Sequence, residues 1–333
     1  MKVCIIGAGA IGGLLGAKLA AAGQCETGAL ARGATLAALR EHGWRLRAAD
    51  GTLVTGPVLA SDRPEALGRQ DLVIIAVKGP ALSEVARSIA PLLGPDTVVL
   101  PAMNGVPWWF CQGRAGLGDA PLQSVDPGGT IAAAIVLPRV IGCVVHASCS
   151  TPEPGLVWQK MGQRLIVGEP AGGRSERASR IAGLFAGAGF DVDHSADVRQ
   201  DIWYKLWGNM TMNPVSAITG ATMDRVLDDE LVRDFCSSVM REAQAIGARI
   251  GCPIAETPQD RHAVTRKLGA FKSSMLQDVE AGRPLELDSL VGAVRELGER
   301  VGVATPGIDA LLGLARLFGR VRGLYPPQLY APG

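Results

Sequence analysis

Apolar residues run unbroken over positions 3–6 and give way at once to Gly7, Gly9 and Gly12. A short continuous apolar run bounded by glycines predicts a strand buried on both faces. The Ala- and Leu-rich segment behind it predicts a helix that stops at Gly23. A second strand is expected to end near residue 30. Two more buried strands are predicted at 72–77, in "DLVIIAVKGP", and at 97–100, in "TVVLPAMNGVP". "RVIGCVVHAS" and "GLVWQKMGQRLIVGE" alternate in part and predict antiparallel strands; "SERASRIAGLFAGAG" predicts a helix and "FDVDHSA" a last short strand. From Asp201 onward the period turns helical, as in Leu231, Phe235, Val239, Ala243 and Ile246, and no strand pattern follows. The expected fold is therefore an α/β, Rossmann-like N-terminal domain over 1–197 and an all-α domain over 198–333.

One helical segment breaks the apolar pattern. In "YKLWGNMTMNP" the polar residues Lys205, Asn209 and Asn213 recur every four positions. Steps of four drift only about 40° each on a helix, so the three side chains form one stripe. They stand beside Leu206, Trp207, Met210 and Met212, where burying polar groups without partners is costly. The stripe is either the wet face of the helix or the wall of a polar ligand site.

Length and composition narrow the classes. A chain of 333 residues exceeds one ordinary core, which suits two domains. Hydrophobic residues make up 47%, charged residues 20%, and the net charge is +1. That balance gives no electrostatic reason to bind nucleic acid or an anionic membrane. No apolar run reaches the 18 or so residues of a membrane span, and the glycine-broken N-terminus does not read as a signal peptide. Seven cysteines at wide spacing, with no Cys-x-x-Cys, suit reduced thiols in the cytoplasm. The four histidines are scattered, and no metal site is expected.

The first loop carries the clearest chemistry. Gly7, Gly9 and Gly12 have the G-x-G-x-x-G spacing between a strand and a helix that a dinucleotide site requires. Gly7 permits the turn, Gly9 lets the backbone approach a pyrophosphate, and Gly12 lets helix pack on strand. No Asp or Glu stands near residue 30 to take the ribose hydroxyls, and Arg32 does stand there. An arginine pairs with a 2′-phosphate, which favours NADP(H) over NAD(H), unless Arg32 is an ordinary surface residue. Lys78 and Asn104 follow the carboxyl ends of predicted strands, where open α/β sheets bind ligands, although Asn104-Gly105 is also a common turn. Residues 111–130 form a long Gly- and Pro-rich loop, which implies a lid or an insertion. Trp108 and Trp109 precede it as packed core, subunit contact or substrate wall.

These residues together resemble the ketopantoate reductases (2-dehydropantoate 2-reductases). The likeness lies in "GAGAIGG", "AVK" ending at Lys78, "NGV" at Asn104, "KLWGNMTMNPVSAIT" from Lys205, "SSMLQD" from Ser273 and "LELD" at Glu286, in order over nearly the whole chain. The resemblance implies a helical domain of the 6-phosphogluconate dehydrogenase C-terminal type, with the active site in the cleft between domains. It implies that Lys205 donates the proton to the carbonyl oxygen and that Glu286 organises its surroundings and contacts the cofactor. Asn209, Asn213 and Ser274 would contact substrate, and Asn104 both substrate and nicotinamide. The loop of Gly7, Ala8, Gly9, Ala10, Ile11 and Gly12, with Arg32 and Lys78, would hold NADP(H). A small 2-oxo acid is then the expected partner, and a homodimer is compatible with it. Met103 and Met223 replace polar residues that members of the family carry, so a different 2-oxo acid or related carbonyl stays open as substrate. A non-catalytic NADP-sensing regulator is the alternative of another class, and the retained Lys205 argues against it.

Overall fold

The computed structural model describes residues 1–327. Its strands, in chain order, are β1 (Lys2–Ile6), β2 (Glu26–Leu30), β3 (Trp44–Arg47), β4 (Leu53–Gly56), β5 (Leu59–Ser61), β6 (Gln70–Ile75), β7 (Leu93–Pro101), β8 (Gly142–Glu153), β9 (Leu156–Gly168) and β10 (Asp191–His194). The main sheet runs β5-β2-β1-β6-β7 with every pairing parallel. Its side chains alternate. Val3, Ile5, Leu72, Ile74, Val98 and Leu100 enter one core, while Cys4, Ile6, Val73, Ile75 and Val99 enter another on the opposite face. Burial of both faces is why these strands read as unbroken apolar runs.

The Ala10–Ala22 helix covers one face of this sheet and is covered in turn by a second sheet. In that second sheet β8 and β9 pair antiparallel, β9 also pairs parallel with β3 and β10, and β3 pairs antiparallel with β4. The helix is pressed tightly from both sides. A Cβ on Gly12 would strike the Gly7 carbonyl, one on Gly13 would strike Val157, and one on Gly16 would strike Trp44. The β8–β9 pair matches the expected antiparallel strands. The β3–β4 hairpin and β5 have no counterpart in the expected elements, because runs of three or four mixed residues carry too little period to detect.

After β10 the described chain is helix and loop only. Its centre is the Val198–Thr219 helix, which Asp197 caps by accepting a hydrogen bond from the Gln200 N–H at 3.2 Å. Trp203, Trp207 and Met210 bury one side of it against the Glu230–Arg249 and Pro306–Val321 helices. Pro214 lies inside the helix, where it removes one backbone bond without ending it.

The long loop is a strap rather than a free insertion. Glu296 accepts from the Gln123 and Ser124 backbone N–H groups at 2.9 Å each, and Arg300 donates to the Ala120 and Pro121 carbonyls at 2.8 and 2.6 Å. Asp126 is fully buried and accepts from the Ile131 and Ala132 N–H groups at 2.8 and 2.9 Å. Trp108 and Trp109 are 2% and 0% exposed and belong to the core that joins the sheet to the helical part.

Candidate active site

The ends of the parallel strands converge on one edge. β1 leads into Gly7, β2 to Arg32, β6 to Lys78 and β7 to Asn104. The strand order reverses between β1 and β6, the place where doubly wound sheets open a crevice. Two cavities lie along this edge.

The first, of about 490 Å³, is lined by Gly7, Ala8, Gly9, Arg32, Glu84 and the β8–β9 turn, among others. Gly7 has φ +92°, and a Cβ there would lie 2.7 Å from Val77, so the turn needs glycine. A Cβ on Gly9 would meet nothing within 4 Å and would project into open space. Behind Gly9 the Ala10–Ala22 helix begins with no side-chain cap and no acidic residue in its first turn, so its N–H groups face the cavity edge unshielded. The room at Gly9 and this helix end fit a dinucleotide pyrophosphate. The Arg32 guanidinium donates to a Glu84 carboxylate oxygen at 2.7 Å, both side chains being more than half exposed.

The second cavity, of about 190 Å³, is lined by Asn104, Lys205, Asn209 and Glu286. Much of its remaining wall is apolar, including Val106, Trp108, Trp109, Val125, Ile202 and Leu206. Lys205 Nζ donates to Asn104 Oδ1 at 2.8 Å and to the Val145 carbonyl at 2.6 Å. An ammonium has three donors, so one proton has no partner among the described residues. Loss of solvation lowers the Lys205 pKa to about 8, against an upward pull from the Glu286 carboxylate. Burial raises the pKa of Glu286, whose Oε1 accepts from the Gly79 N–H at 3.1 Å. Cys143 lines the same wall as a thiol pushed up to about 12 by burial.

Asn104 is fixed by the segment that follows Glu286. Gly105 has φ +85°, and a Cβ there would lie 2.6 Å from the Ser289 carbonyl, which accepts from the Val106 N–H at 2.9 Å. Ser289 belongs to a short π-helical turn, Asp288–Gly292, a departure from α geometry that is frequent at functional sites. The sheet and the helical part thus meet through the residues that hold the ammonium.

Six expected site residues stand apart from these walls: Ala10, Ile11 and Gly12, the first residues of the helix behind Gly9, and three polar residues. Asn213 is buried and donates to Ser274 Oγ at 3.5 Å, with Ser274 exposed at the start of the Ser274–Glu280 helix. Neither lines the two cavities. Lys78 lines neither, and is ion-paired to the buried Asp278 with Nζ 3.4 Å from the Pro284 carbonyl. Sequence reasoning missed Glu84, Asp278, His146 and Arg261. His146 follows Val145 on β8, and burial, then the Lys205 charge, lowers its pKa to about 4. Arg261 lies over the Tyr204 ring at 5.7 Å and against Gly208, one turn from Lys205, where a Cβ would come within 2.6 Å of its Nε. No local spacing links these residues to the site; only the fold brings them there.

Known proteins share this fold. Residues 3–108 match the family described as ketopantoate reductase PanE/ApbA, and residues 197–318 match its C-terminal counterpart. A 2-dehydropantoate 2-reductase of Mesorhizobium japonicum is 45% identical over 326 residues, covering 98% of this chain and all of that one. The chain belongs to the ketopantoate reductase family. A structure from Ralstonia solanacearum MolK2, classed as a ketopantoate reductase, superposes with a TM-score of 0.93 at 58% identity and covers 97% of this chain and 99% of that one. A D-mandelate dehydrogenase solved with NADH and anilino(oxo)acetate shares the fold at a TM-score of 0.82 and 21% identity, covering 97% of this chain and 100% of that one. The Rossmann-like sheet followed by a helical part is therefore the architecture of the ketopantoate reductase family.

Proposed function

We propose that this chain reduces 2-dehydropantoate to (R)-pantoate with NADPH, a step of pantothenate and coenzyme A biosynthesis in the cytoplasm. The single observation that carries the reading is the Lys205 ammonium, held by Asn104 and the Val145 carbonyl with one proton left over, in a cleft beside the dinucleotide cavity. The 45% identical M. japonicum 2-dehydropantoate 2-reductase supports it, and the unpaired state of all seven cysteines suits the cytoplasm.

A bound nicotinamide cofactor supplies the hydride. The Gly7–Gly12 loop and the helix behind it would hold the pyrophosphate, and Arg32 would take the 2′-phosphate. Reduction of a ketone builds negative charge on its oxygen, and the free proton of Lys205 stabilises and then neutralises that charge. A pKa of about 8 keeps the ammonium protonated at neutral pH while making it a better acid than a solvated lysine. Glu286 opposes premature loss of that proton. Asn209 offers a neutral donor and acceptor to the substrate from the cavity wall; Asn213 and Ser274, which stand off that wall, would join it only on opening their 3.5 Å contact. Lys78 would reach the cofactor on leaving Asp278.

A second reading, reduction of a bulkier or less polar 2-oxo acid, is favoured by the apolar wall of Trp108, Trp109, Ile202 and Leu206. Assay of NADPH oxidation by the purified protein against a panel of 2-oxo acids separates the two. Turnover with 2-dehydropantoate at the highest kcat/KM supports the first. Turnover only with aryl or branched apolar acids replaces it with the second, and no turnover with any of them removes both.

A further inference from the structure

The general rule for dinucleotide sites assigns the ribose 2′ position to the end of the second strand: a carboxylate there accepts from the 2′-hydroxyl of NAD(H), and an arginine there pairs with the 2′-phosphate of NADP(H). At the end of β2 this chain offers Arg32 and no carboxylate. The fold nevertheless delivers one. Glu84, on the Leu82–Ser88 helix that follows β6, reaches across to the tip of Arg32 with Oε1 2.7 Å from Nη1. Both side chains line the Gly7–Gly9 cavity.

We infer that Arg32 and Glu84 together read the 2′ position, Arg32 for a phosphate and Glu84 for a hydroxyl, so that the protein binds both nicotinamide dinucleotides and Glu84 sets their ratio. The inference rests on the proposed assignment of Arg32 to the 2′-phosphate.

Three features of the cavity support it. Glu84 engages Arg32 through one oxygen, Oε1, and its second oxygen can accept from a hydroxyl, since a carboxylate offers about four acceptor sites. The other carboxylate on the cavity wall, Glu153, is balanced by Arg45 at 3.1 Å, so its charge is offset from outside the cavity. Arg32 and Glu84 then neutralise each other, and the wall gains a net charge only when a ligand separates them. A 2′-phosphate separates them, because it competes for the guanidinium and repels the carboxylate. A 2′-hydroxyl leaves the pair intact. Glu84 therefore penalises the phosphorylated dinucleotide and assists the other.

The side chains are 64% and 51% exposed, so the pair is screened by water and substitution leaves the core untouched. Exposed pairs contribute up to about 1 kcal/mol, which converts to roughly a five-fold change in affinity.

The test is isothermal titration of NADP⁺ and NAD⁺ into the full-length wild type, Glu84→Gln and Arg32→Ala. Binding is the readout, independent of turnover. Glu84→Gln is expected to tighten NADP⁺ by about three- to five-fold and to weaken NAD⁺ by a similar factor. An unchanged ratio in Glu84→Gln, with Arg32→Ala weakening NADP⁺ alone, overturns the role of Glu84 and leaves the Arg32 assignment standing. Equal losses for both dinucleotides in Arg32→Ala overturn the Arg32 assignment and this inference with it.

Discussion

The two cavities differ in how they treat charge. Around Lys205 the walls are largely apolar, the ammonium is stripped of solvent, and its partners are fixed by strand β8 and by a loop locked against the segment following Glu286. Around Arg32 the walls are open, and the charged pair lies in water. A charge in a low-dielectric site interacts several times more strongly than an exposed one. The dry cleft can therefore carry the chemistry, where a few ångströms or one pKa unit matter, while the wet cavity can adjust cofactor preference by small steps. Loss of the ammonium in the cleft should be severe, and loss of a charge at the cavity rim graded.

The sharpest way to break this contrast is to remove the ammonium. In the proposed reaction Lys205→Ala should lower kcat by about 100-fold or more, the range for loss of a general acid; an activity within a few-fold of wild type would remove Lys205 from the chemistry. At the rim, Arg32→Ala should raise the KM for NADPH by about ten-fold, the worth of a charge-assisted hydrogen bond, with a much smaller effect on NADH. Comparable effects on the two cofactors would show that Arg32 does not discriminate them. Beneath the cleft, Asp126→Ala removes a buried acceptor of two backbone N–H groups next to the lining residues Val125 and Pro127. That change should cost about 1–3 kcal/mol, read as a lower urea midpoint; an unchanged midpoint would mean the strap is not part of the folded core. The gentlest probe is Glu286→Gln. It keeps an acceptor for Gly79 and removes one of the groups that pull the Lys205 pKa up. The basic limb of the pH–rate profile should move to lower pH, and a limb that stays put would detach Glu286 from Lys205.

The two cavities also differ in how far the sequence discloses them. The Gly7–Gly12 loop is legible because its glycines answer local demands, a positive φ at Gly7 and close packing at Gly12. β1, β6 and β7 are legible because burial on both faces leaves unbroken apolar runs. The Lys205–Asn209–Asn213 stripe is legible as one side of a helix, and the fold turns Lys205 and Asn209 to the cleft but ties Asn213 to Ser274 outside the cavity wall. What stayed hidden depends on partners distant in sequence. Glu84 meets Arg32 from another strand's helix, Asp278 meets Lys78 across the two parts of the chain, and Glu296 with Arg300 fastens the 111–130 loop from the far end of the protein. Composition marked that loop as a lid or insertion, because Gly and Pro report local freedom and carry no record of a carboxylate some 170 residues away.

The central claim is that the Lys205 ammonium gives the proton. Its most direct test is the pH dependence of kcat/KM for reduction of 2-dehydropantoate, or of the best 2-oxo acid from the panel, with NADPH saturating. The protonated form is the active one, so the rate should be level below neutrality and fall with a single ionisation near pH 8, losing about ten-fold per unit beyond it. That limb should vanish in Lys205→Ala. A profile that stays flat through pH 9, or one that rises as the lysine loses its proton, would contradict the account.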